Sequence, residues 1–144
     1  MSELTLQAAQ TIVQTTIKTA REKNLKPISV VVYDERGALK ALLSEDGTSL
    51  KRAEIAMGKA YGALALGVGS RAIHKMATDR AYFVSAATHV VGGQLVPVPG
   101  GVLIKDAQGK ILGAVGVSGD TSDNDEIAAA AGIEAAGLVF DTGA

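Results

Sequence analysis

The sequence predicts an α/β domain in which helices pack on a mainly antiparallel sheet. Two stretches of the form D-x-x-G, at 34–37 and 106–109, each separate two apolar runs. This spacing, with glycine in the left-handed position, is typical of a β-hairpin. Three further segments carry apolar residues at helical spacing. At 144 residues the chain fits one domain, and we predict a single domain over residues 1–144.

The first helix is predicted to begin after Thr5, which can cap it, and to end before Asn24. Its apolar residues recur at helical spacing; they are Leu6, Ala9, Ile12, Val13 and Ile17. The first hairpin follows, with strands predicted at 29–33 and 38–43.

A second helix is predicted from Ser49 to Leu66, ending among glycines. One face carries apolar or small residues suited to close packing on the sheet: Leu50, Ala53, Met57, Ala60 and Leu64. Residues 70–93 show no regular period, and they could form one or two helical turns followed by a short helix or strand. Such a segment is typical of a lid or a pocket wall.

The second hairpin has strands predicted at 102–105 and 110–117. The last helix is predicted from Ser122 to Ala136, and Gly137 follows its end. Thr121 or Ser122 can cap this helix. Its first turn is acidic, which the positive end of the helix dipole favours.

Composition and charge exclude several classes of protein. A net charge of −1 offers no basic field for nucleic acid, and the absence of cysteine removes thiolate catalysis and cysteine-bound zinc. The N-terminal stretch lacks the charged and apolar regions typical of a signal peptide, and no apolar run is long enough for a membrane helix, so we expect a cytoplasmic protein. It also lacks a Walker A loop, a G-x-S-x-G elbow, an H-E-x-x-H motif and the context of a dinucleotide fingerprint.

Large side chains are scarce in this sequence. Aromatic residues make up 3% of it, and alanine and glycine abound. Elements of this kind pack closely without forming thick apolar layers, so part of the stabilising burial is expected between subunits. We therefore predict a homo-oligomer.

The last third of the chain forms a composite candidate site for a small-molecule ligand. Glycines at Gly100 and Gly101, after Pro99, allow a close approach to the backbone, and Ser118-Gly119 ends a strand just before an acidic helix start. Turns with positive φ and plain helix capping explain the same residues equally well. The carboxylates of that helix start could bind a hard cation or hold a substrate hydroxyl, but their spacing lacks the remaining ligands of a calcium loop; they are Asp123, Asp125 and Glu126.

Four further side chains are candidates for chemistry. His74 and His89 are the only histidines, and His89 is preferred because it shortly precedes the glycine-rich segment. Lys59 lies among small residues, and Tyr61 could donate a hydrogen bond or ligate iron. The alternatives are a surface histidine, a solvated lysine on a helix face, and a tyrosine that packs its ring.

These motifs resemble the GlcG/HbpS family of small haem-binding proteins, which includes the C-terminal domain of PduO-type proteins. The resemblance rests on P-G-G-x-x-I at 99–104, G-A-x-G-V-S-G at 113–119 and D-x-D-E-x-x-A at 123–129. It extends to V-V-Y-D-E-R-G at 31–37 and G-K-A at 58–60. Their order and spacing cover nearly the whole chain.

The resemblance implies a three-layer α/β/α domain with a five-stranded antiparallel sheet, similar to the profilin-like fold, in a symmetric homo-oligomer. It also implies haem as cofactor and haem binding, or haem degradation, as function. In PduO-like members a histidine on the first helix ligates haem, and this chain has none between Thr5 and Asn24. The ligand is then expected at His89. The other residues expected around the haem are Tyr61, Pro99, Gly100, Gly101, Ser118 and Gly119.

A second hypothesis is a cofactor-independent enzyme acting on a small organic acid or a cyclic metabolite. His89 or an acidic residue would act as base, and Lys59 or backbone N–H groups would stabilise a developing oxyanion. The sequence leaves open whether the protein is an enzyme, and a purely structural role is a third alternative.

Overall fold

The computed structural model of the chain describes residues 3–144. These residues form five helices and five strands, in the order α1 (Leu6–Glu22), β1 (Ser29–Asp34), β2 (Leu39–Ser44), α2 (Arg52–Leu66), α3 (Ser70–Asp79), α4 (Ala81–Val90), β3 (Gly101–Lys105), β4 (Ile111–Ser118), α5 (Ser122–Ala135) and β5 (Val139–Asp141). The predicted α/β fold is confirmed.

The five strands form one sheet in the order β2-β1-β4-β3-β5, and every neighbouring pair is antiparallel. Ser29 at the start of β1 lies opposite Ser118 at the end of β4, and Gly101 at the start of β3 lies opposite Gly116. The start of β1, the start of β3 and the end of β4 therefore meet at one end of the sheet, called here the serine end.

Helices cover both faces of the sheet, which gives the three layers that the resemblance implied. On one face α1 and α5 pack on the first core, which includes Val30, Val115 and Ile133. On the other face α2 packs on a second core around Val31 and Leu103. Every residue of β1 is buried because both of its faces are covered.

Helix α2 lies very close to the sheet because both surfaces lack large side chains. A Cβ atom on Gly116 would overlap the carbonyl oxygen of Ala56, and one on Gly101 would overlap that of Lys59. Of the residues predicted on this face of α2, Ala60 is buried in the second core, and Met57 and Leu64 pack against it.

Both predicted hairpins and the helix caps are present. Thr5 Oγ1 accepts a hydrogen bond from the Ala8 N–H (3.0 Å), and Thr121 Oγ1 accepts one from the Asn124 N–H (3.2 Å). Gly67 and Gly137 have positive φ where α2 and α5 end.

The second helix begins three residues later than its predicted start at about Ser49. Helix α2 begins at Arg52, and the preceding Lys51 makes no side-chain capping hydrogen bond. The Ser49 carbonyl accepts a hydrogen bond from the Arg52 N–H in a turn (3.2 Å), which places Leu50 before the helix and leaves it 88% exposed.

Residues 70–93 are more regular than the sequence indicated. They form α3 and α4, whose facing sides bury Ile73, Val84 and Ala87 in a third core with Leu95. Strand β5, which the residue pattern did not identify, completes the five-stranded sheet that the resemblance implied. Within residues 3–144 no helix is long and apolar enough to cross a membrane.

Candidate functional site

Lys59 joins the two helical layers at the serine end of the sheet. It extends from α2, and its Nζ donates hydrogen bonds to the Val117 carbonyl oxygen (2.8 Å) and to Asp125 Oδ2 on α5 (3.2 Å). Lys59 is 2% exposed and Asp125 1%. The two side chains form a buried ion pair that connects α2 to α5 around the end of β4.

Gly100 and Gly101 provide the space for this lysine. A Cβ atom on Gly100, whose φ is +121°, would lie 2.8 Å from both Lys59 Nζ and the Val117 oxygen. Pro99 is also buried beside them. In the structure, protein atoms occupy the space that the missing side chains of these glycines leave.

Burial shifts the ionisation of both members of the pair. It raises the pKa of the Asp125 carboxyl, while the Lys59 charge and a hydrogen bond from the Asp120 N–H (3.0 Å) act in the opposite direction. Burial likewise lowers the pKa of Lys59, against the attraction of Asp125. Each charge is therefore stabilised chiefly by the other.

Ser118 and Gly119 continue the same cluster. Buried Ser118 accepts a hydrogen bond through Oγ from Arg52 Nη1 (3.1 Å), and a Cβ atom on Gly119 would overlap the carbonyl oxygen of Pro27. Arg52 was not predicted from the sequence. Arg52 is the first residue of α2. Because that helix was expected to begin earlier, the sequence did not indicate Arg52 as a site residue.

Asp120 fixes the turn that leads into α5. Its carboxylate accepts hydrogen bonds from the N–H groups of Lys26 (2.8 Å) and Thr121 (2.8 Å) and from Asn124 Nδ2 (2.8 Å). The Lys26 hydrogen bond, followed by those from Asn124 and Thr121, lowers the pKa of Asp120 to about 2.

The acidic first turn of α5 is engaged by basic side chains. Asp125 pairs with Lys59, while Glu126 and Asp123 both accept hydrogen bonds from Arg71 on α3; the Arg71 Nε–Glu126 Oε2 distance is 3.0 Å. Among residues 3–144 no cluster of three histidine, cysteine or carboxylate ligands is arranged for a metal ion.

Tyr61 lies apart from this cluster, toward the opposite end of β1. Its ring packs edge-on against Tyr33, with centroids 5.8 Å apart and planes at 74°, and it contacts Gly37 in the first hairpin. Tyr33 pairs with Ala114 across β1 and β4, four residues away from the pair that Ser29 forms.

His89 is also separate from Lys59. It lies exposed in the last turn of α4, and no hydrogen bond or ion pair engages its imidazole within the described part of the chain. The same face of the helix carries Tyr82, which is 77% exposed, Ala86, and the adjacent Val90, which is 85% exposed. Exposed Ser85 also lies beside His89, one helical turn before it. The structure thus places His89 on an open helix face that carries both apolar and polar side chains, called here the α4 face.

A groove lies between α1 and the edge strand β2, and the sequence did not predict it. An apolar cavity of about 270 Å³ there is lined by Leu6, Gln10, Val13, Gln14 and residues 40–43. Next to it, a polar cavity of about 260 Å³ is lined by Glu3, Leu4, residues 34–36 and Lys40. The sequence could not reveal this groove, because its two walls come from segments that meet only in the folded sheet.

Comparison with known proteins supports one family. The family model described as "Haem degrading protein HbpS-like" matches residues 4–134. An uncharacterized 15.0 kDa protein of the dhaT-dhaS intergenic region of Citrobacter freundii is 30% identical over 129 residues, which are 90% of this chain and 89% of that protein.

Solved structures share the fold. The crystal structure of HbpS is 26% identical and covers 93% of this chain and 90% of its own, with a TM-score of 0.78. The crystal structure of a PduOC:heme complex is 20% identical and covers 94% of this chain and 96% of its own, with a TM-score of 0.84. The family match and these similarities together show that the chain belongs to the HbpS-like family.

Proposed function

We propose that this protein binds haem and that His89 would hold its iron through the imidazole. The match of residues 4–134 to a family described as haem-degrading supports haem as the ligand. The observation that carries the choice of residue is the exposed His89 imidazole on the α4 face, which no hydrogen bond or ion pair from residues 3–144 engages.

The side chains on the α4 face fit a porphyrin. Imidazole is a common protein ligand of haem iron, and the chain has no cysteine to replace it. Tyr82, Ala86 and Val90 offer apolar contacts beside His89. His74 lies on α3 beside the surface ion pair of Lys75 and Asp79 (3.5 Å), which makes a polar surrounding.

Bound haem would supply an iron centre for redox chemistry. The role of the chain is to hold the imidazole in place and to keep water from the apolar ring. The α4 face is open, so its apolar side chains are expected to be covered in the homo-oligomer that we also propose. The other residues that the resemblance places around haem lie outside the α4 face, and their contacts with haem stay predictions; they are Tyr61, Pro99, Gly100, Gly101, Ser118 and Gly119.

Titration with hemin tests the proposal, with His89→Ala as the variant and His74→Ala as the matched control. We expect a saturable shift of the Soret band for the wild type and for His74→Ala, and a lost or altered shift for His89→Ala. An unchanged spectrum of hemin with wild-type protein contradicts haem binding. A loss caused only by His74→Ala contradicts the assignment of the ligand.

Haem degradation is a finer proposal, and the same sample tests it. Loss of the Soret band over time under air with ascorbate, faster than for free hemin, indicates degradation; a stable band indicates binding alone.

The alternative of an enzyme without cofactor finds less support in the geometry. Lys59 is 2% exposed, and Val117 and Asp125 both accept hydrogen bonds from its ammonium group. A substrate could reach that group only after the serine end of the sheet opened. His89 is the predicted base that is accessible, and it lies on another element.

A further inference from the structure

The groove between α1 and β2, called here the edge groove, has an apolar and a polar half. Leu6, Val13, Leu42 and Leu43 are among the residues that line the apolar half. The polar half lies near the start of α1 and the first hairpin. Lys40 lines both cavities.

A β-bulge determines the position of Lys40. Val32 pairs with Ala41 and Tyr33 pairs with Leu39, so Lys40 has no partner residue on β1. A bulged residue interrupts the regular alternation of side chains along a strand and redirects its own side chain. This explains how Lys40 reaches the junction of the two cavities at the edge of the sheet.

Among the described residues, Lys40 is the cation of the edge groove whose charge has no partner. Its half-buried side chain makes no hydrogen bond or ion pair within residues 3–144. The neighbouring Arg36 is paired with Asp34 (3.0 Å), and Glu35 lies 3.7 Å from Lys110. Glu3 is exposed, so solvent screens its charge.

We propose that the edge groove binds an amphiphilic monocarboxylate, whose carboxylate pairs with Lys40 and whose unbranched apolar tail lies along α1. From Leu6 to Gln14 the helix offers a wall about 12 Å long, at a rise of about 1.5 Å per residue. The two adjoining cavities together have the volume of a small-molecule site. Gln10 and Gln14 line this wall and offer no iron ligand, so this ligand is distinct from the haem proposed at His89.

Octanoate and its uncharged counterpart 1-octanol are suitable probes, since they differ in the carboxylate that Lys40 would bind. Amide resonances of α1 and β2 should shift on titration of the wild type with octanoate. Lys40→Gln should weaken octanoate binding about tenfold, the value of one charge-assisted hydrogen bond, and leave octanol binding unchanged. Lys75→Gln, which removes an exposed lysine on α3, is the matched control and should bind both probes as the wild type does.

Gln14→Trp should fill the apolar half and abolish binding of both probes, with the melting temperature as the check on folding. The proposal is overturned if octanoate causes no localised shifts, or if Lys40→Gln and Lys75→Gln bind octanoate equally. It is also overturned if octanoate displaces hemin and Lys40→Gln weakens hemin binding, since the groove would then be the haem site. Retained octanoate binding by His89→Ala supports two separate sites.

Discussion

Replacing Lys59 with methionine should destabilise the protein strongly. The substitution keeps an unbranched side chain that is one atom shorter and removes its charge, and it leaves the Asp125 carboxylate buried at 1% exposure. Asp125 then retains the hydrogen bond from the Asp120 N–H, and the Val117 oxygen loses its lysine donor. Removing one member of a buried ion pair costs about 3–5 kcal/mol. For a chain of this size that corresponds to a fall in melting temperature of about 10 °C or more.

The loss in free energy of unfolding caused by Lys59→Met, called here the deficit, should depend on pH in a defined direction. Burial already raises the pKa of Asp125, and Lys59 is the charge that opposes the rise, so the variant should have a still higher native-state pKa. A pKa raised in the native state means that the native protein binds a proton more tightly than the unfolded chain. The deficit of the variant should therefore shrink as the pH falls through that native-state pKa, because Asp125 becomes neutral.

Urea unfolding of four proteins measures the effect: the wild type, Lys59→Met, Asp125→Asn and the double variant. In the double variant both side chains are uncharged, so no buried charge is left without a partner. The double variant should therefore be more stable than Lys59→Met. The reasoning is refuted if Lys59→Met unfolds within about 1 kcal/mol of the wild type, or if the double variant is no more stable than Lys59→Met.

Three other outcomes are expected. Gly101→Ala should cost about 1–3 kcal/mol in urea unfolding, because the new Cβ atom would overlap the Lys59 carbonyl oxygen; wild-type stability would contradict this contact. Asp120, with a native pKa of about 2 against an ordinary 3.8, contributes stability above pH 4 that is lost as the pH falls toward 2. Asp120→Asn should show a smaller loss of stability over that range in acid titrations followed by circular dichroism, and an equal loss would contradict the assignment. If the protein is a homo-oligomer, its melting temperature should rise with protein concentration, and a constant value with monomeric light scattering would contradict the prediction.

The hairpins were predictable because their determinants lie within a few residues. Asp34 Oδ1 accepts hydrogen bonds from the N–H groups of Arg36 and Ala38, and Gly37 adopts a φ of +78°. Asp106 and Gly109 repeat the arrangement in the second hairpin. The motif D-x-x-G contains the whole interaction, so the sequence alone was sufficient.

The candidate site was predicted as separate residues rather than as an arrangement. Lys59 and Asp125 were both candidates, but they are 66 positions apart, and no local pattern indicates that they pair. Gly100 and Gly101 were predicted to admit a ligand, and this stays a prediction; in the structure the Lys59 side chain lies against Gly100 and the Lys59 backbone lies against Gly101. Which atoms fill the space above a glycine depends on how the layers are stacked, and the sequence alone does not determine that.

Strand β5 and the edge groove show the same limit. β5 has three residues, Val139–Asp141, which are too few for an alternating pattern to be recognised. The bulge at Lys40 is a property of the pairing between β1 and β2, so it appears only when the register is known.

The ion pair between α2 and α5 has a consequence for how the native protein fluctuates. Opening α2 alone would leave the Asp125 charge buried without its lysine, so α2, the end of β4 and α5 should exchange their amide hydrogens as one cooperative unit. Helices α3 and α4 enclose a small core of their own and are exposed on their outer sides. Arg71 joins α3 to α5, whereas no ion pair within the described residues joins α4 to the rest of the fold. Helix α4, which carries His89, can therefore open in a lower-energy event of its own and is expected to be among the most adaptable parts of the protein.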